Sequence, residues 1–343
     1  MMLGIFLNSQ HPAGDDAARR LDETVEQVRL IRSLGFDSIW AGEHHVTQGF
    51  HFFPQMPLLH RIAADAEGLW IGTNLTLLPL HNPVEAAEVG AFLDIVTGGR
   101  FLLGVGLGYR PEEFAAYRVK MSERASRLAE GVEIIGRLWT EDRVTHQGRH
   151  WQLADVTVRP RPLQSPRPPI LVGAQVEAAV ARAARIGDGW LVVPTITRDE
   201  LSAQMAFFAA ARDAAGLPPA EHICRLIEVG CNADEDTAIH RTAPHLLAKY
   251  AAYASWGLKG VVFDAAAEPN QQLKRLAADR FAIGTPDQVA AMLLDQHRAG
   301  VTHVAMRVSW PGMEQQDILA SIELLGREVL PKMRSAISSG TPG

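Results

Sequence analysis

Two cysteines, Cys224 and Cys231, are all that the 343 residues contain. On one extended strand their odd separation would aim them at opposite faces, about 23 Å apart at ~3.3 Å per residue. They cannot bridge there, and two isolated thiols fit a reducing compartment, so a cytoplasmic protein is expected. Long apolar runs are also missing, and no stretch suits a bilayer-spanning helix. The opening "MMLGIFLNSQHP" has no basic region ahead of an apolar core, so it does not read as a secretory signal. Positive charge is not in excess either. Net charge is −6, with no basic cluster or acidic tail, which argues against nucleic acid and anionic membrane as partners.

What is present is a full complement of core residues. Apolar types make up 47% of the chain and charged types 21%, the balance of a globular protein with a substantial interior. Short runs rich in Val, Ile, Leu and Phe alternate with longer runs at helical spacing. The expected strands are Leu3–Asn8, Ser38–Ala41, Trp70–Leu78, Phe101–Gly106, Ile170–Gly173, Trp190–Val193, Cys224–Val229 and His303–Val308. Between them lie helical faces such as Leu128, Val132, Ile135 and Trp139. "NPVE" supplies a cap at Asn82, a first-turn Pro83 and a capping-box Glu85; "GTPDQ" supplies Thr285 and Gln288 in the same roles. Residues 141–169, with "RPRPLQSPRPP", break the rhythm, but it resumes directly afterwards and the segment reads as an insertion. Eight strands without tight hairpins predict a single (β/α)8 TIM barrel with insertions over 1–343, with an open doubly wound sheet as the alternative. The tail 335–343 reads as frayed.

Barrels build chemistry at the ends of their strands. After the second expected strand comes Glu43-His44-His45. Adjacent residues on an extended exit face opposite ways, so the two histidines make a poor chelate and no metal is expected. "GVGLG" lacks the third glycine of a dinucleotide fingerprint and runs into Tyr109-Arg110-Pro111 instead of a helix. Its glycines serve either tight packing or the approach of a planar ring. "ILVGAQVEAA" passes from strand to helix, a place where free amides can hold a phosphate.

Taken in order, "EHH", "GTNLTLLPLHNPVEAAE", "LDIVTGGRFLLGVGLG", "ILVGAQ" to "GDGW", "FAIGTPDQVAAML" and "ILASIELLGREVLPKM" resemble the bacterial luciferase-like flavin-dependent monooxygenase superfamily over Leu3 to about Met333. The resemblance implies a flavin-dependent monooxygenase of the two-component type. A separate reductase would supply reduced FMN, which would react with O2 to a C4a-(hydro)peroxyflavin and oxygenate a small organic molecule. It places His44 at the catalytic histidine, with Glu43 and His45 as its supports. It places a non-prolyl cis peptide at Asn74–Leu75, next to Thr73, behind the flavin ring, and Gly106 where luciferase has a reactive cysteine. The chain departs from luciferase at Leu107, where an arginine stands, and at Val176 and Ala179, where hydroxyls stand. The phosphate is therefore expected on the amides of Gly173, Ala174, Gln175 and Val176, with Arg110 reaching in. Phe6, Phe50, Phe52, Phe53 and Trp310 are expected to line an apolar substrate pocket, residues 264–280 stand where luciferase has a mobile lid, and a homo-oligomer is expected. Two alternatives stay open: a deazaflavin-dependent hydride-transfer oxidoreductase, and a flavin-binding protein without turnover.

Overall fold

A period-two pattern inside the apolar runs decides how the strands assemble. In the computed structural model, which describes residues 1–257 and 267–340, strand β1 is Met2–Leu7. Its Leu3, Ile5 and Leu7 pack outward under the helices, while Phe6 packs inward with Trp40, Leu102, Leu171, Leu191, Leu226 and Ala305 from the other strands. Both faces are buried, as a parallel sheet requires.

The remaining barrel strands are β2 (Ser38–Ala41), β3 (Trp70–Thr73), β4 (Phe101–Val105), β5 (Ile170–Ala174), β6 (Gly189–Val192), β7 (His222–Cys231) and β8 (His303–Arg307). They pair in parallel in the order β6-β5-β4-β3-β2-β1-β8-β7, and β7 returns to β6 through Gly189↔His222 to Val192↔Arg225. The sheet is therefore a closed eight-stranded (β/α)8 barrel among the described residues, and the open-sheet alternative is excluded. A short parallel strand, Ala282–Gly284, extends the far end of β7. Both cysteines lie on β7, buried and unbridged.

Several local expectations are met and several are corrected. Asn82 accepts from the Val84 amide and Pro83 opens the helix Pro83–Val96, but Glu85 completes no capping box. Thr285 and Gln288 do form one. The third strand ends at Thr73, not Leu78. The Asn74–Leu75 peptide is cis, and the chain turns there so that only Thr76 bridges back to Val105. Residues 141–169 contain an antiparallel hairpin, Val144–Gln147 with Gln152–Val156. The tail is not frayed from 335: a helix runs from Leu330 to Ser338 because Met333 is buried and Ile337 packs on the core. Residues 341–343 of that tail lie outside the described residues. So does part of the expected lid, 264–266; from Pro269 to Ala277 that segment is a helix seated through Leu273 and Leu276. No helix among the described residues is long and apolar enough to cross a membrane.

The strand-four glycines resolve to packing. A Cβ at Gly104 would stand 2.0 Å from the Thr73 carbonyl oxygen and 2.6 Å from Leu191. A Cβ at Gly106 or Gly173 would strike the Leu75 side chain at 2.6 or 2.4 Å. Gly104→Ala is thus expected to cost roughly 1–3 kcal/mol of stability as backbone and core shift. Gly14→Ala, with nothing within 4 Å, serves as the control. Urea unfolding of both checks this; a Gly104→Ala midpoint equal to the parent's contradicts the packing described.

Candidate active site

The β2 exit turns the acidic and imidazole side chains of Glu43-His44-His45 to different partners. His44 lines a cavity of about 650 Å³ at the C-terminal mouth of the barrel. Its Nδ1 lies 2.9 Å from Oε1 of Glu113, a carboxylate with no solvent exposure. The same oxygen accepts from the His45 amide at 2.9 Å and from Arg110 Nη1 at 3.3 Å. Burial alone would raise the Glu113 carboxyl, but the His44 bond and charge, the His45 amide and Arg110 hold it below the ordinary range. A carboxylate at Nδ1 selects the tautomer with its proton there, which leaves Nε2 as the acceptor available to the cavity. Around the imidazole stand the edges of Phe52, Tyr109, Tyr253 and Trp256, with centroids 5.3–5.7 Å away.

Glu43 does not orient His44. Its Oε1 accepts from His45 Nε2 and, at 2.6 Å, from His81 Nε2; its Oε2 accepts from the Leu77 amide at 3.0 Å. Burial would raise this carboxyl, yet the two imidazoles bring it down to about 2.

A second charged group closes another wall. Glu228 on β7 is fully buried and accepts from Lys249 Nζ at 2.5 Å, Tyr250 Oη at 3.0 Å, Arg307 Nη1 at 3.3 Å and Trp310 Nε1 at 2.7 Å. Burial, with Arg307 adding, lowers the Lys249 ammonium to about 7 against the pull of Glu228. Both Lys249 and Arg307 line the cavity, and the Arg307 guanidinium lies 4.1 Å over the Phe6 ring.

The residues anticipated from sequence divide clearly. His44, Glu43, Asn74, Leu75, Gln175, Val176, Phe6, Phe52 and Trp310 line the cavity. Thr73 does not, because its hydroxyl both donates to the Gly104 carbonyl and accepts from the Gly104 amide. Gly106 and Gly173 lie behind Leu75, and Gly173 and Ala174 are still in the β5 ladder opposite Leu191 and Val192. Arg110 is buried, donating to the His45 carbonyl at 2.7 Å and stacked on Trp256, so it is not a phosphate ligand. His45 faces away from the cavity toward Glu43 and Tyr117. Phe50 packs on Trp256 and Phe53 on His11.

Glu113, Tyr109, Tyr253, Lys249, Arg307 and Arg124 were not anticipated. Arg307 ends β8 and was open to the strand-end argument. Lys249 and Tyr253 lie within the helix Glu235–Ser255, where nothing local distinguishes them. Arg124 lines the cavity from the start of the helix Arg124–Thr140. For a flavin the fit is good. The volume lies in the range of cofactor sites, Asn74 Nδ2 and Tyr109 Oη are buried without partners, and the helix Glu177–Ile186 begins at the cavity with no side-chain cap.

The family model for luciferase-like monooxygenases matches residues 1–303. The chain belongs to the luciferase-like monooxygenase family. In structure it is similar to the monooxygenase RslO1 from Streptomyces bottropensis, at TM-score 0.85 and 28% identity over 96% of this chain and 99% of that one. In sequence it is similar to an F420-dependent glucose-6-phosphate dehydrogenase of Microbacterium testaceum, 29% identical over 91% of this chain and 94% of the relative. It is also similar to the 4-hydroxyprotoasukamycin monooxygenase of Streptomyces nodosus subsp. asukaensis, 31% identical over 59% of this chain but spanning only 56% of that relative's length. The similar proteins differ in cofactor: one solved neighbour, a Baeyer-Villiger monooxygenase constituent, is in complex with FMN, and the Microbacterium relative is F420-dependent.

The Glu43 network has a pH signature. With a folded value of about 2 against an ordinary 4.5, Glu43 stabilises the fold above pH ~4.5, and this is lost as pH falls toward 2, up to about 3 kcal/mol in all. Burial works against protonated His81, but its bond to Glu43 prevails and raises its value above 6.5. Its contribution is full below pH ~6.5 and is lost as pH rises through the folded value. Unfolding of Glu43→Gln followed against pH should show a shallower acid limb than the parent; parallel acid limbs refute the assignment.

Proposed function

We propose that this protein is a two-component monooxygenase that uses reduced FMN, delivered by a separate reductase, and O2 to oxygenate a small organic substrate with an apolar body. The observation that carries this reading is His44. Its tautomer is set by buried Glu113, and its Nε2 is left for a largely apolar cavity large enough for a flavin and a substrate. The likeness to RslO1 over nearly the whole chain supports oxygenation.

The flavin, when bound, supplies the electrons that activate O2. Leu75, Asn74 and Phe6 would line its ring. Arg124 and the free amides at the start of the helix Glu177–Ile186 would hold its phosphate, in place of the arginine and hydroxyls that luciferase carries elsewhere. His44 Nε2 accepts or returns a proton at the reacting centre, and Glu113 stabilises the imidazolium that results. Phe52, Tyr253 and Trp256 pack against the His44 imidazole and leave its side chain 11% exposed. A protein that only stores flavin has no need of a buried carboxylate fixing one imidazole tautomer. Exposed Phe92 and Val96 on the helix Pro83–Val96 support self-association.

The second reading is hydride transfer with F420, favoured by the full-length likeness to F420-dependent dehydrogenases. The same dyad would take the hydroxyl proton of the alcohol being oxidised. Reduced FMN mixed anaerobically with the protein and then with O2 separates the two. Oxygenation requires that oxidised flavin return more slowly than in free solution, and equal rates end that reading. Tight F420 binding with no FMN binding would establish the second. Under either, His44→Ala should lower kcat by about 10²–10⁴-fold while cofactor Kd changes little, and Glu113→Gln should shift the pH profile of kcat. Equal losses of kcat and cofactor affinity in His44→Ala would remove its chemical role.

A further inference from the structure

Behind the active site, on the other side of the β2 exit, lies a second cavity of about 320 Å³ bordered by Glu43, His45, His60, Gln55, His81 and Glu85. Three potential ligand atoms converge at its edge: Glu43 Oε1, His45 Nε2 and His81 Nε2, all within 4.8 Å of one another. We propose that Glu43, His45 and His81 form a binding site for one divalent cation of borderline softness, with Zn²⁺ the best match.

The donor set is the first argument. Two imidazoles and one carboxylate are the three-ligand complement that zinc takes when its fourth position is left open. All three residues border the second cavity, which offers space for a fourth ligand. The second argument is how the donors are held from behind. The Tyr117 hydroxyl lies 2.9 Å from His45 Nδ1, and the Leu77 amide donates to the other Glu43 oxygen at 3.0 Å. Metal ligands are commonly oriented by such bonds to their remote atoms. A metal-bound His45 carries its proton on Nδ1, where the Tyr117 oxygen can accept it, so the change is one of tautomer. Rigidity is the third argument. Glu43 and His45 leave one strand directly, and His81 immediately precedes the Asn82 cap of a long helix.

Geometry must open slightly to admit an ion. His81 Nε2 stands 2.6 Å from Glu43 Oε1, whereas donors about 2.1 Å from a tetrahedral zinc lie about 3.4 Å apart. The His81 and His45 side chains are 30% and 20% exposed, so each can withdraw by roughly 1 Å through rotamer adjustment. The adjacent pair His44-His45 still does not chelate. Alternation sends His44 to the active-site cavity and His45 here, and His81 arrives from the turn ahead of the helix Pro83–Val96 to complete the set. The site is independent of whether the enzyme oxygenates or transfers hydride.

The test uses the full chain, stripped with a chelator, dialysed, and titrated with ZnCl2 by calorimetry. The expected result is saturable binding of one ion per chain, weakened at least 100-fold in both His45→Ala and His81→Ala. Circular dichroism and thermal melting confirm that each variant is folded; if one is not, the other decides. Co²⁺ in place of Zn²⁺ should give the visible absorption of a four-coordinate site in the parent and lose it in the variants. Absence of stoichiometric binding, or parent-like binding by a folded variant, overturns the proposal and leaves the three residues as a hydrogen-bonded network only.

Discussion

A carboxylate shut away from water needs donors around it, and Glu113 gathers three of them at the exit of β2. It holds the His44 imidazole, the His45 amide and Arg110, and Arg110 in turn holds the His45 carbonyl and stacks on Trp256. Burying a charge without such partners costs several kcal/mol. The backbone at His45 is therefore tied down at both its amide and its carbonyl, and His44 is held beside it through Nδ1 on the same Glu113 oxygen. The direction of His45, and through it the position of Glu43, follows from the same restraint.

The opposite wall is set by packing instead of charge. Gly106 and Gly173 have no side chains because Leu75 occupies the space where they would be, and Gly104 has none because the Thr73 carbonyl approaches it. Leu75 consequently lies between β4 and β5 as one wall of the cavity. Of the glycines that resemble part of a nucleotide fingerprint, Gly104 and Gly106 thus act one layer beneath the site, while Gly108 lines the cavity. A third wall combines both effects: Glu228 binds Lys249, Tyr250, Arg307 and Trp310 in the interior, so two cations reach the cavity with one carboxylate between them.

The alternation of strands and helices, the place of Glu43-His44-His45 and the Asn82 cap were legible beforehand, because each is carried by residues close together in the chain; the cis peptide at Asn74–Leu75 came only from the family resemblance. Errors fall where that locality fails. Arg110 was expected at a phosphate, but Glu113 three residues on draws it inward. Thr73 was expected at the cofactor, but its hydroxyl is consumed by the neighbouring strand. Phe50 and Phe53 were expected in the pocket, but only Phe52 on that segment lines it.

By itself the sequence determined eight strands alternating with helices, through the period of its apolar residues, and the strand ends where chemistry collects; closure into a barrel rests on the pairing of β7 with β6. It also determined that His44 and His45 diverge, since neighbours on an extended chain must. Only the tertiary structure decided which carboxylate serves which imidazole. Glu113 is 69 residues from His44 and His81 is 38 from Glu43, and no local pattern records a partnership across such distances. Barrel closure brings successive strand ends together, and the requirement that buried charge be paired then selects among the groups that meet there.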